Sequence, residues 1–302
     1  MYLGSVRFYK HLILLVTVTV IFVLLAGIVV FNHRNHDLQK ALKDEAIKAQ
    51  ADATWLAVSN ASLIKGYQQQ YDMSYQTDYP DLYSIRPSSL KRVDGKAVYL
   101  TFDDGPSDRT LEILDILDRY QIKATFFVIY QNDERSKHIY QEIVDRGHTI
   151  AVHSASHKYS KIYTSVDAFL KDFRIIYTQI TTVTGVKPQI FRFPGGSINP
   201  YNVDIYQQLV AEMLRRGFVY FDWNVSGGDS DPDITSEEII EMVENNVSKY
   251  DKSIVLLHDS ETKYATVDAL DSIIRDLQDS GYTFHKLDKS VPAVNFAYKI
   301  NY

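Results

Sequence analysis

The chain contains no cysteine. Disulfide bonds, thiolate nucleophiles and zinc sites with cysteine ligands are therefore excluded, so any bound metal must use histidine and carboxylate side chains. A strongly basic composition is also lacking, since the formal net charge is −6 and the isoelectric point is about 5.8. Nucleic-acid binders usually carry a basic face, and this charge therefore argues against a nucleic-acid partner.

One long apolar run stands apart, residues 12–31, interrupted only by Thr17, Thr19 and Gly27. It is long enough to cross a bilayer as a helix. A cleaved signal peptide would have an apolar core of roughly 7–15 residues and a small-residue cleavage site, and no Ala-x-Ala pattern stands near the end of this run. We therefore expect an uncleaved membrane anchor, with residues 1–11 as a cytoplasmic tail and the catalytic part of the chain outside the cell.

Residues 32–90 are unlike the rest of the chain and are predicted to be a stalk and linker. Apolar residues recur at helical spacing over residues 37–59 among charged side chains, which predicts an amphipathic helix. This helix is either a spacer with a solvated charged face or a surface for self-association. Residues 66–87 are rich in Tyr, Gln, Ser and Asp, and form either a linker or an irregular strap against the main domain.

Residues 91–302 are predicted to be the catalytic domain, because short β-rich runs alternate there with amphipathic helical stretches. Repeated βα units favour a parallel sheet, either closed as a barrel or open and doubly wound. With no Gly-rich nucleotide-binding fingerprint, a distorted (β/α) barrel of about seven parallel strands is the better prediction. The predicted strands are Ala97–Phe102, Ala124–Tyr130, Thr149–Val152, Gln189–Phe193, Phe218–Trp223, Ser253–Leu257 and Thr283–Leu287. The predicted helices are Leu111–Tyr120, Glu134–Arg146, Val166–Val183, Val203–Arg216, Glu237–Tyr250 and Thr266–Asp279.

Ionisable residues follow five of these strands at the point where each strand ends. In parallel βα folds the carboxyl ends of the strands form the catalytic face, so we expect the side chains to meet on one rim. The residues are Asp103 and Asp104 after the first strand, His153 after the third, Arg192 in the fourth, Asp222 in the fifth and His258 after the sixth.

Asp103–Asp104 and the His153-x-x-x-His157 pair offer three ligands for a divalent metal, with one carboxylate left over. Structural zinc sites are normally closed by four protein ligands, whereas catalytic sites keep an open position. The spare carboxylate is what a general base requires. Four-residue spacing predicts that both imidazole rings lie on one side of a helical turn. The pattern therefore predicts a metal-dependent hydrolase with zinc as the expected ion, although cobalt and nickel accept the same ligands.

Five motifs then identify a family: Thr101–Pro106, His153–His157, Arg192–Ser197, Asp222–Trp223 and Leu256–His258. In sequence and in order they resemble the motifs of the polysaccharide deacetylase family, carbohydrate esterase family 4. With the apolar segment, the chain most resembles membrane-anchored peptidoglycan N-acetylglucosamine deacetylases, which act on a linear amide. The resemblance covers about residues 95–290.

The resemblance implies a role for each matching position. Asp104, His153 and His157 would bind the metal, and Asp103 would be the general base. The backbone N–H of Gly195 would face the oxyanion of the tetrahedral intermediate. Many relatives carry an aromatic residue at this last position, so glycine keeps the main-chain donor and loses any stacking against sugar.

Cleavage of an amide also needs a proton for the departing amine, and His258 is the expected acid. We expect Asp222 to orient His258 and to raise its pKa. Arg192 is expected to pair with Asp103 and hold it ionised. The alternative for Arg192 and Asp222 is a structural ion pair that ties loops together.

By resemblance, Trp223 and Leu256 shape the substrate groove and the pocket for the acetyl methyl group, although core-packing residues would look the same in sequence. The expected partner is cell-wall polysaccharide. Chitin oligomers, poly-N-acetylglucosamine and an O-acetylated polysaccharide are alternative substrates for the same chemistry. A third hypothesis, from a different class, is an inactive carbohydrate-binding scaffold.

Overall fold

The computed structural model describes residues 73–296 except 86, 88, 92 and 94. The predicted cytoplasmic tail, the membrane helix over residues 12–31 and the stalk helix over residues 37–59 lie outside the described residues. Within the described part of the chain, no helix combines the length and the apolar character needed to span a bilayer.

Eight strands form one sheet, and every recorded pairing in it is parallel. Seven strands follow the order β5-β4-β3-β2-β1-β7-β6, and β8 pairs with the start of β1. The predicted parallel βα sheet is thereby confirmed. The strands are Ala97–Asp103 (β1), Thr125–Ile129 (β2), Thr149–Ser154 (β3), Ile190–Phe191 (β4), Val219–Tyr220 (β5), Val225–Ser226 (β6), Lys252–His258 (β7) and Thr283–Phe284 (β8).

The sheet curls into a half-barrel and does not close as the predicted barrel. Strands β5 and β6 stand at its two edges, and no pairing joins them among the described residues. Only residues 221–224 link them, whereas parallel neighbours need a crossover of a dozen or more residues. This link can span at most about 18 Å, which requires the two edges to approach each other. Asp222 and Trp223 lie in the link.

Seven α-helices follow the sheet strands within the described residues. Side-chain caps at Ser107, Asp133, Ser165 and Thr235 satisfy free backbone N–H groups where four of them begin. The six predicted helices are present, and the four-residue α3 is an addition. The helices are Asp108–Arg119 (α1), Glu134–Asp145 (α2), Tyr159–Ile162 (α3), Val166–Thr184 (α4), Tyr206–Arg215 (α5), Ser236–Val247 (α6) and Tyr264–Asp279 (α7).

Strand β1 is buried along its whole length and separates two apolar clusters. Its outward residues Val98, Leu100 and Phe102 pack against the helices. Its inward residues Ala97 and Tyr99 pack with strand and loop residues inside the half-barrel. Because side chains alternate along a strand, Asp103 belongs to this inner face and ends it at the catalytic rim.

The segment before the first strand packs against the domain as a strap. Leu82 is completely buried, and the fully buried Arg216 binds Glu212 Oε1 at 2.6 Å. The guanidinium of Arg216 also donates to four strap carbonyls, those of Tyr75, Asp78, Tyr79 and Leu82. Of the two sequence alternatives for residues 66–87, the described part of the segment, residues 73–85, forms the strap.

Replacing Arg216 with Met is expected to destabilise the domain by about 3–5 kcal/mol, because the buried carbonyls and Glu212 lose their charged donor. Urea unfolding followed by tryptophan fluorescence measures this change. Arg119→Met is a matched control, since Arg119 forms an exposed pair with Asp271 and exposed pairs contribute about 1 kcal/mol or less. Equal midpoints for the two variants would contradict this account of the strap.

Candidate active site

The first site motif, Thr101–Pro106, begins in β1 and continues past its end at the rim of the half-barrel. Asp103 is paired in register with His258 of β7, so the predicted base and the predicted acid end neighbouring strands. A Cβ atom on Gly105 would lie 2.2 Å from Oδ2 of the buried Asp259, which explains the glycine of the Asp-Asp-Gly motif. Burial raises the pKa of Asp259 to about 7, and the charges of Asp104 and Asp103 add to this effect.

Asp104, His153 and His157 form a cluster with metal-ligand geometry. Their candidate ligand atoms all lie within 4.8 Å of one another. Asp104 Oδ1 is 3.5 Å from His153 Nε2 and 3.2 Å from His157 Nε2, yet this buried oxygen has no hydrogen-bond partner. A buried carboxylate oxygen without a donor is costly unless a cation completes its environment. The donor set fits a divalent metal.

The hydrogen bonding of His153 prepares it as a ligand. Its Nδ1 lies 2.9 Å from the backbone oxygen of Arg192. A carbonyl oxygen can only accept, so Nδ1 carries the proton and Nε2 keeps its lone pair towards Asp104. Burial lowers the pKa of His153 to about 3, which keeps the ring neutral.

The loop between the two histidines is held by a residue that sequence reasoning missed, Asp172 of α4. Its carboxylate accepts hydrogen bonds from Ser154 Oγ at 2.6 Å and from the N–H groups of Ala155 and Ser156 at 2.7 and 2.9 Å. The expected helical turn is wrong, because His153 lies within β3 and His157, which has a φ of +51°, follows the bend at residues 155–156. The hydrogen bonds to Asp172 therefore hold the loop in one conformation, as the hydrogen bonds of a helical turn would have done.

Asp172→Ala is expected to weaken metal binding about 10- to 100-fold, as is usual when a group that orients metal ligands is removed. Competition with a chromogenic zinc chelator measures the affinity. Asp167→Ala is the matched control, since this exposed carboxylate lies on the same helix and contacts only Tyr79 Oη among described side chains. Equal affinities for both variants would show that the loop keeps its shape without Asp172.

Arg192 ties Asp103 to the interior of the half-barrel. This fully buried side chain donates to Asp103 Oδ1 at 2.8 Å and to Thr101 Oγ1 at 2.7 Å. Its guanidinium also stands 4.3 Å from the ring centre of Phe127. Burial raises the pKa of Asp103, while the charge and hydrogen bond of Arg192 oppose that rise. The contact predicted between Arg192 and Asp103 is present.

His258 is held by Asp229. Its Nδ1 lies 2.8 Å from Asp229 Oδ1, and its backbone N–H donates to Asp229 Oδ2 at 2.6 Å. Thr266 Oγ1 also donates to Asp229 Oδ2, at 2.8 Å. Burial alone would lower the pKa of His258, but the hydrogen bond and charge of Asp229, with Asp103 and Asp104, raise it to about 9. Nε2 is the ring nitrogen that remains available.

The prediction that Asp222 orients His258 is wrong. The carboxylate of Asp222 instead accepts from the N–H and Oγ of Ser197 at 2.8 and 2.6 Å, and from the N–H of Phe296 at 2.7 Å. Asp222 follows β5 at one edge of the sheet, whereas Asp229 follows β6, the direct neighbour of β7. Asp222 thus positions the loop that contains Gly195 and fastens it to the C-terminal segment.

Gly195 and Gly196 both have left-handed backbone conformations, with φ of +74° and +85°. Gly195 is exposed, and nothing in the described part of the chain accepts a hydrogen bond from its N–H. A Cβ atom on Gly196 would lie 2.5 Å from the ring of Phe296, which itself packs on Trp223 at 4.8 Å. Trp223 is half-buried at this wall, and Leu256 is buried within β7. Their roles towards substrate stay predictions.

Comparison with known proteins agrees with this geometry. Residues 91–214 match the family model described as polysaccharide deacetylase. The crystal structure of the catalytic domain of a peptidoglycan N-acetylglucosamine deacetylase from Eubacterium rectale ATCC 33656 is similar, with a TM-score of 0.67 and 41% identity over 71% of this chain and 98% of that chain. The chain belongs to the polysaccharide deacetylase family.

Other family members are similar over much of their length. A peptidoglycan-N-acetylglucosamine deacetylase of Bacillus cereus is 29% identical, over 70% of this chain and 76% of that protein. The crystal structure of the polysaccharide deacetylase Bc1974, also from Bacillus cereus, has a TM-score of 0.59 and 28% identity over 67% of this chain and 97% of that chain.

In this polysaccharide deacetylase most of the clustered site residues could be predicted from the sequence. Two carboxylates could not, Asp229, which holds His258, and Asp172, which holds the loop between the two histidines. Asp229 follows β6, a strand that is too short to be recognised in the sequence. Asp172 lies inside a helix, where a carboxylate in the sequence usually indicates the solvent-exposed face of the helix. No sequence pattern marks it.

Proposed function

We propose that the protein removes N-acetyl groups from N-acetylglucosamine residues of peptidoglycan with the help of a divalent metal, and zinc suits the donor set. One observation carries the proposal. A buried carboxylate held by Arg192 and a histidine held by Asp229 end neighbouring strands beside a cluster of metal ligands. Two of the similar proteins bear the name of a peptidoglycan N-acetylglucosamine deacetylase.

Asp104, His153 and His157 would hold the metal. When bound, it would lower the pKa of a water molecule and polarise the acetamide carbonyl. The neutral His153 and the donor-free oxygen of Asp104 are suited to this task before any ion arrives.

Asp103 acts as the general base. Its carboxylate removes a proton from water as the water oxygen attacks the carbonyl carbon, and the electron pair of the C=O bond moves onto oxygen. Arg192 keeps the carboxylate in place and favours its ionised form. The free N–H of Gly195 donates to the oxyanion, in a loop that Asp222 holds through Ser197.

His258 acts as the general acid. The C–N bond breaks with proton transfer from His258 to the amine nitrogen, because an amide anion is too basic to leave. Acetate and a glucosamine with a free amine are the products. Asp229 raises the pKa of His258, so the ring is protonated near neutral pH.

We also propose that residues 12–31 anchor the protein in the cell membrane and that the catalytic domain faces the wall. Within the predicted stalk and linker of residues 32–90, the helix over residues 37–59 would set the distance between the two, and its apolar positions offer a surface for self-association. Susceptibility of the domain to protease added outside intact cells tests the orientation.

The experiment that tests the activity measures acetate released by the purified full-length protein in detergent, loaded with zinc. Peptidoglycan, chitin oligomers and an O-acetylated polysaccharide are compared, with chelator-treated protein as control. Acetate from peptidoglycan that disappears on chelation and returns with zinc supports the proposal. Acetate from only one of the other substrates would keep the chemistry and change the substrate. No acetate from any of them, despite bound metal, would favour the carbohydrate-binding scaffold.

A further inference from the structure

Two tyrosines stand beside the metal ligands without a part in the reaction described above. Tyr159, at the start of α3, has its ring centre 5.2 Å from that of His157. The ring centres of Tyr159 and Tyr201 are 5.3 Å apart in an edge-to-face arrangement, and Tyr201 is 58% exposed. An aromatic surface therefore extends from a metal ligand out to solvent.

Because Gly195 has no side chain, the Tyr159 ring can lie directly beside its backbone. A Cβ atom on Gly195 would lie 3.2 Å from the Tyr159 hydroxyl oxygen and 3.3 Å from the ring carbon that carries it. The hydroxyl has no hydrogen-bond partner among the described residues. Tyr159 is half-buried, and its free hydroxyl lies beside Gly195, the predicted oxyanion donor.

Tyr201 is tied to the loop that carries Gly195. Asn199 Oδ1 accepts the backbone N–H of Tyr201 at 2.9 Å, and Asn199 Nδ2 donates to the carbonyls of Pro194 and Gly196 at 3.2 and 3.1 Å. Tyr201 and the predicted oxyanion donor therefore belong to one hydrogen-bonded loop.

We propose that Tyr159 and Tyr201 form a subsite for a second pyranose ring of the polysaccharide, next to the sugar that loses its acetyl group. This inference rests on the proposed function, since it names how the same site holds its substrate. The C–H face of a pyranose is apolar, and tyrosine offers a large rigid contact surface at low entropic cost. Outward exposure of Tyr201 beside the reaction centre leaves its ring open to such a partner.

The test uses Tyr201, because its exposure allows substitution without loss of the fold. Tyr201→Ala is expected to raise KM for an N-acetylglucosamine tetramer about 5- to 10-fold, while kcat stays within about twofold. Tyr201→Phe keeps the ring and should behave as wild type. Tyr250→Ala is the matched control, since this 43% exposed tyrosine precedes β7, at the opposite end of the strand from His258. An unchanged KM in Tyr201→Ala, or an equal loss in Tyr201→Phe, overturns the proposal.

Calorimetric titration of the zinc-loaded proteins with the tetramer separates this inference from the proposed function. If wild type releases no acetate, the proposed function fails while the subsite is still decided by binding. Tetramer affinity that falls in Tyr201→Ala and persists in Tyr201→Phe supports the subsite. Equal affinity in wild type and Tyr201→Ala, or no binding by wild type, overturns it.

Discussion

Asp103→Asn is expected to lower kcat for acetate release about 10³-fold, within the range that general bases contribute. Asparagine has nearly the same size and can still accept the hydrogen bond from Arg192, but it cannot take a proton from water. Metal affinity should stay close to wild type, because Asp104, His153 and His157 form the ligand cluster. Acetate release and metal content are measured on the same protein sample.

The matched control is Asp115→Asn, which changes a carboxylate that is exposed on α1 and pairs with Arg146. It should have wild-type activity. If Asp103→Asn kept more than about a tenth of the activity with full metal content, another group would have to serve as the base, because deletion of a base costs at least about 10²-fold. Loss of metal from Asp103→Asn would instead place this carboxylate among the ligands.

The parts of the site that could be predicted lie on long strands that are almost entirely buried. Strands β1, β3 and β7 carry Asp103, His153 and His258 at or near their ends, and their apolar runs are readable because both faces of the sheet are covered. A polar residue at the end of such an apolar run can then be recognised in the sequence as a candidate site residue. Because the strands are parallel, their carboxyl ends lie at the same rim of the sheet, and the polar residues there come together.

The parts that could not be predicted depend on short elements. Strand β6 is two residues long, too short for a periodic signal, so the sequence offered no reason to place Asp229 at a strand end. Asp222 is different, because it lies in the longer apolar run Phe218–Trp223 that predicts a strand, although β5 itself covers only Val219–Tyr220. The sheet stays a half-barrel for a related reason, because the four-residue link between β5 and β6 brings the two edges together but is too short for the crossover that parallel pairing requires.

Asp229→Asn is expected to lower kcat about 10²-fold at pH 8 and to move the basic limb of the pH–rate profile to lower pH. His258 must be protonated to act as an acid, so activity falls as pH rises through its pKa. In the wild type Asp229 helps to raise that pKa to about 9 from the ordinary value of 6.5, against the lowering effect of burial. Without the carboxylate charge, burial dominates and His258 loses its proton at lower pH. Acetate release between pH 5 and 10 gives the profile.

A bound divalent cation would oppose the contributions of Asp103 and Asp104 to the pKa of His258, but not the direct hydrogen bond that His258 Nδ1 donates to Asp229. The shift between wild type and Asp229→Asn is therefore expected to survive metal loading. Asp222→Asn is the decisive control, because Asp222 contacts Ser197 and Phe296. It should lower kcat by loosening the oxyanion loop and leave the basic limb where it is. If the basic limb of the pH–rate profile moved in Asp222→Asn and stayed in place in Asp229→Asn, Asp222 would be the partner of His258, as predicted from the sequence. The pairing of His258 with Asp229 would then be rejected.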